Sequence, residues 1–111
     1  MSRNGYVTLD DFLAGITATP VDLRVPGLGI VQVRGLTVLE SQELEAYRGK
    51  DKEILVQTVV RGLVAPRLTQ DNVEALTHAS VAKVRIMAER ILELSAQGDA
   101  EETEKKAGGG S

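Results

Sequence analysis

The sequence predicts a mainly α domain with one β-hairpin, an α+β fold in which a short N-terminal helix and the hairpin precede a bundle of about four helices and a disordered C-terminal tail. Three observations predict it. Between Pro20 and Gly35 apolar and polar residues alternate with period two. From Thr37 to about residue 96 the apolar residues recur at helical spacing, in stretches that open on residues suited to capping a helix. From Gln97 onward no large apolar residue remains to offset the entropy of ordering the chain.

Taken in order, Thr8 caps a short helix over Leu9 to Ala14, with Asp11 as the acidic half of a capping box and Gly15 as a left-handed stop. In the hairpin, about residues 21–34, Val21, Leu23 and Val25 face one way and Asp22 and Arg24 the other, while Val31 and Val33 alternate with Gln32 and Arg34. Between the arms Pro26-Gly27-Leu28-Gly29 is a turn, since proline presets a negative φ and glycine tolerates a positive one. A lone hairpin is only marginally stable, so its Val/Leu face must lie on helices or on another copy of the chain.

Helices occupy about 37–96. Thr37 and Glu40 form a second capping box, opening a helix that runs to Arg48 and stops at Gly49. The next, opened near Asp51, carries Ile54, Leu55, Val56, Val59, Val60, Leu63 and Val64. That stripe is too wide for a surface helix, so this one is expected at the centre, broken by Pro66. Thr69 caps a short helix through Leu76. Ser80 caps the longest, whose inward stripe is Val81, Val84, Met87, Ala88, Ile91 and Leu94, against outward Lys83, Arg85, Glu89, Arg90 and Glu93. Residues 1–96 thus form one domain, and 97–111 a flexible tail whose closing Gly-Gly-Gly-Ser equally has the form of an expression linker.

The bulk properties narrow the function classes. The chain has 111 residues, a formal net charge of -3 and no cysteine. A mildly acidic chain lacks the attraction that phosphate backbones exert on basic proteins, and with only Tyr6, Phe12 and Tyr47 aromatic it has no base-stacking platform. Nucleic acid is therefore not expected as a partner. Absence of cysteine removes disulfides, thiolate ligands and a cysteine nucleophile, and no apolar run is long enough for a signal peptide or a membrane span. The expectation is a cytoplasmic, non-enzymatic protein without metal or cofactor.

Each candidate chemical group has a plainer structural reading. His78, the only histidine, has no second histidine or cysteine with which to share a metal, and suits a surface or capping role. Gly27-Leu28-Gly29 is followed by a strand, whereas a phosphate-cradling loop leads into a helix N-terminus. Asp10 with Asp11, and Glu40, Glu43 and Glu45, offer paired carboxylates, but on helix faces and first turns where the dipole and water favour acids. Arg61, Arg67, Arg85 and Arg90 read either as a partner-binding stripe or, more simply, as solvated charge. Pro26, Gly27, Leu28 and Gly29 form the candidate partner-binding site, because a turn gains little from an exposed leucine unless something covers it.

Three stretches together resemble one family. They are residues 9–15 (Leu9-Asp10-Asp11-Phe12-Leu13-Ala14-Gly15), residues 25–37 with Glu40 just beyond, and residues 62–69 leading to Ile91-Leu92-Glu93-Leu94-Ser95. Their order and spacing are similar to those of tail assembly chaperones of long-tailed bacteriophages, over nearly all of Thr8 to Ser95. The resemblance implies a protein that binds the tape measure protein, keeps it soluble and recruits tail tube subunits in the host cytoplasm, and is then absent from the virion. It also implies a longer form made by ribosomal frameshifting. Self-association is open to the hairpin edge. Two alternatives remain: a head–tail connector or minor tail protein that stays in the particle, and a small regulatory or antitoxin-type protein, although no helix here is strongly basic.

Overall fold

The computed structural model describes residues 5–97; the tail expected beyond them lies outside the described residues. Helix α1 (Leu9–Ile16) leads into strands β1 (Val21–Val25) and β2 (Gly29–Val33), then helix α2 (Val38–Glu43), a 3-10 turn over Leu44–Tyr47, and helix α3 (Asp51–Gly62). Strand β3 (Leu63–Ala65), a 3-10 turn over Gln70–Asn72, helix α4 (Val73–Thr77) and helix α5 (Val81–Gln97) follow. The architecture is α+β: among the described residues, five helices with a three-stranded antiparallel sheet of order β1-β2-β3.

The hairpin follows the period-two pattern. Register runs from Val21↔Val33 to Val25↔Gly29. The Leu28 N–H donates to the Val25 carbonyl at 2.9 Å, and Gly27 takes φ 81°, where a side chain would be strained. One face of the hairpin packs on α5, so Val25, Val31 and Val33 share a core with Val59, Leu63, Val84, Met87, Ala88, Ile91 and Leu94. Helix α3 is central as expected, with Val56, Gln57, Thr58, Val59 and Val60 all buried. At two close approaches glycine is required. A Cβ on Gly62 would stand 2.5 Å from the Ile91 side chain, and one on Gly35 3.0 Å from the backbone of Leu94.

Several local expectations are corrected. Helix α3 ends at Gly62, before Pro66, because Leu63–Ala65 pair with Gln32 and Val33 of β2 as a third strand. Pairing across the sheet outweighs the helical spacing of Leu63 and Val64. Gly15 does not stop α1; the helix continues through Ile16, and the Thr17 hydroxyl donates to the Leu13 carbonyl at 2.8 Å. The stretch opened by Thr37 tightens to a 3-10 turn after Glu43, and Thr69 likewise caps a 3-10 turn before α4. Val81, expected in the inward stripe of α5, is exposed.

Candidate protein-binding surface

Helix α1 is amphipathic, yet against the described residues none of its side chains is buried. Thr8 caps it, its Oγ1 accepting from the Asp11 N–H at 3.1 Å, and Asp10 and Asp11 lie in the first turn where the helix dipole favours acids. Leu9, Phe12, Leu13 and Ile16 stand at i, i+3, i+4 and i+7, one face of the helix. Their exposures are 70%, 49%, 48% and 64%, and no residue of α1 is buried. Tyr6 and Val7 extend the apolar run and are exposed too. Exposed apolar side chains so close together in sequence are what an interaction surface presents.

The hairpin supplies a second exposed apolar feature. Pro26, Gly27, Leu28 and Gly29 form its tip, with Leu28 54% exposed, and Lys83 of α5 runs alongside Gly27. On the outer sheet face Ile30 is exposed opposite Arg24. Tip and α1 each present apolar side chains to solvent.

Several of the acidic and basic groups pair with one another. Glu40 takes two hydrogen bonds from the Arg34 guanidinium at 2.8 Å each, and accepts from the Thr37 N–H at 3.0 Å to complete its capping box. Arg34 also donates to the carbonyls of Gly35 and Arg61. The Arg34 hydrogen bonds, above all, hold the Glu40 carboxyl well below the usual range, at about 2, against the opposing effect of partial burial. Arg61 bonds Glu43 at 2.9 Å and the side chain of Gln57, which in turn bonds Gln70. Glu45 pairs with Arg48, and Arg90 with Glu93. Arg34, Arg61 and Arg67 surround a cleft of about 230 Å³ between β3 and the start of α2, in which Glu40 also stands. His78 ends α4, exposed, its Nε2 3.1 Å from Glu74.

The carboxylates weighed for acid–base chemistry are thus dispersed: Asp10 and Asp11 on α1, Glu40 and Glu43 in separate arginine pairs. Among the described residues no three of His, Asp or Glu cluster as metal ligands, and no helix is long and apolar enough to cross a membrane. In the sequence the α1 stripe has one signal, the i, i+3, i+4, i+7 spacing of Leu9, Phe12, Leu13 and Ile16, which does not tell an exposed face from a buried one. No protein-family model matches the chain, and no curated protein or solved structure matches it.

Proposed function

We propose that this chain is a tail assembly chaperone of a long-tailed bacteriophage, which binds the tape measure protein, keeps it soluble and recruits tail tube subunits. The observation that carries the reading is the unpartnered stripe Leu9, Phe12, Leu13 and Ile16 on α1, joined to a body whose own core is closed without it. A long helical protein with apolar stripes aggregates while it waits for its partners. An amphipathic helix can pack on such a stripe as one helix packs on another. Each contact is small and many copies act together, so the assembly is held by multivalency and released by competition from tube subunits. The three stretches of likeness to this family, from residue 9 to residue 95, support the same reading.

The test is co-expression with the tape measure protein encoded by the same phage. The expected result is a soluble complex holding several copies of this chain, lost when Phe12 and Leu13 are both replaced by Asp. A tape measure protein that stays insoluble with this chain in excess, or is equally soluble without it, contradicts the proposal. Mass spectrometry of purified virions separates it from a connector: the chaperone is absent, a connector present.

A further inference from the structure

Among the described residues strand β1 is an edge of the sheet, with β2 its one hydrogen-bonded neighbour. Half of its backbone N–H and C=O groups therefore point away from the sheet with no strand to receive them. Natural edges are blunted by proline, by a bulge or by charged side chains that repel a second strand. Within β1 there is no proline, its pairing with β2 is regular over all five residues, and its two charges are opposite.

Those charges are placed symmetrically. Asp22 and Arg24 flank Leu23 and both side chains are exposed on the outer face. With a second β1 laid antiparallel so that Leu23 faces Leu23, Asp22 of each copy lies opposite Arg24 of the other, and Val21 opposite Val25. Sliding the second strand by two residues sets Asp22 against Asp22 one way and Arg24 against Arg24 the other. Sliding it by one turns its core face to solvent. We infer that β1 pairs with β1 of a second copy about a two-fold axis at Leu23, joining two sheets into one of six strands.

The surroundings fit. Among the described residues Arg24 has no ion pair within its own chain, and the one side-chain bond of Asp22 is a 3.4 Å contact from Gln32. On the inner face a cleft of about 310 Å³, lined by Leu23 with Ile86, Glu89, Arg90 and Glu93 of α5, lies beside this edge where the second copy would cover it. Five paired residues and this cleft amount to roughly half the ~800 Å² per partner of a standard interface, so the dimer is weak and depends on concentration.

Sedimentation of the full chain from about 5 to 500 µM tests this, an interval chosen for an interface below standard size. The expected result is monomer at the low end and dimer at the high end. Asp22→Arg and Arg24→Asp should each weaken the dimer at least about tenfold, since like charges then face across the axis. The double variant Asp22→Arg/Arg24→Asp should recover it, and mixing the two single variants should give a heterodimer that neither forms alone. Circular dichroism checks that these exposed positions leave the fold intact. A chain that stays monomeric throughout overturns the inference and leaves the edge to a strand of another protein. Dimerisation untouched by the single variants, or not recovered in the double, overturns it in favour of another surface such as α1.

Discussion

Helices α1 and α5 carry the same kind of apolar stripe and meet opposite fates. In α5, Val84, Met87, Ala88, Ile91 and Leu94 are buried against α3 and the sheet. In α1, Leu9, Phe12, Leu13 and Ile16 are exposed. An eight-residue helix is marginal by itself in water, so α1 holds its form through the Thr8 cap and the Thr17 closing bond rather than through packing. Helical spacing specifies a face; it does not specify what covers that face. If the covering of α5 is the fold and the exposure of α1 is the function, substitutions in the body should change stability and substitutions in the arm should not.

The largest effect is expected at Gly62, where α3 crosses α5. The Cβ of Gly62→Ala would stand 2.5–2.7 Å from three side-chain atoms of Ile91, which is fully buried and cannot swing away. Overpacking of this kind costs about 3 kcal/mol and should lower the melting temperature by more than about 10 °C in a calorimetric scan. Next is the Arg34–Glu40 pair. Arg34→Met should cost about 2 kcal/mol in urea unfolding, because it removes a two-pronged charged hydrogen bond and leaves the Glu40 carboxylate uncompensated. Glu40 is held below its ordinary value, so its contribution is present above about pH 4.5 and fades as pH falls toward 2. The acid-side loss of stability should therefore be shallower in Arg34→Met than in the parent.

A smaller change of opposite sign is expected at Thr58. Its side chain is fully buried in α3 and its Oγ1 has no hydrogen-bond partner. Thr58→Val keeps the shape and removes the unsatisfied hydroxyl, so it should raise unfolding stability by about 1 kcal/mol. Smallest of all, Phe12→Ser with Leu13→Ser should shift stability by less than about 0.5 kcal/mol, as surface changes do. A large loss there would mean that α1 packs on the body after all and would erase the contrast with α5.

The parts of the fold legible in the sequence are those set by local rules. The alternation of residues 21–25 and 29–33 with Pro26-Gly27 between them has few conformations other than a hairpin, and the Thr37–Glu40 capping box forms as read, with both hydrogen bonds present. Strand β3 was not legible: Leu63 and Val64 continue the helical stripe of α3, and only the partner strand 30 residues earlier turns them to extended structure. Arg34 reads as one more step of the strand alternation, and its bidentate hold on Glu40 depends on the chain turning at Gly35 against the backbone of α5. For the candidate surface, Leu28 at the turn was legible because turns project outward. The exposure of α1 was not, since spacing alone gives α1 and α5 the same description.

Amide exchange over residues 9–16, in the free chain and in its complex with the tape measure protein, decides whether α1 is an arm held ready for a partner. These amides should exchange at nearly unprotected rates in the free chain, while those of Val84–Ile91 are strongly protected, and should become protected in the complex. Protection of α1 equal to that of α5 in the free chain, or an α1 unchanged in a complex that has formed, would contradict it.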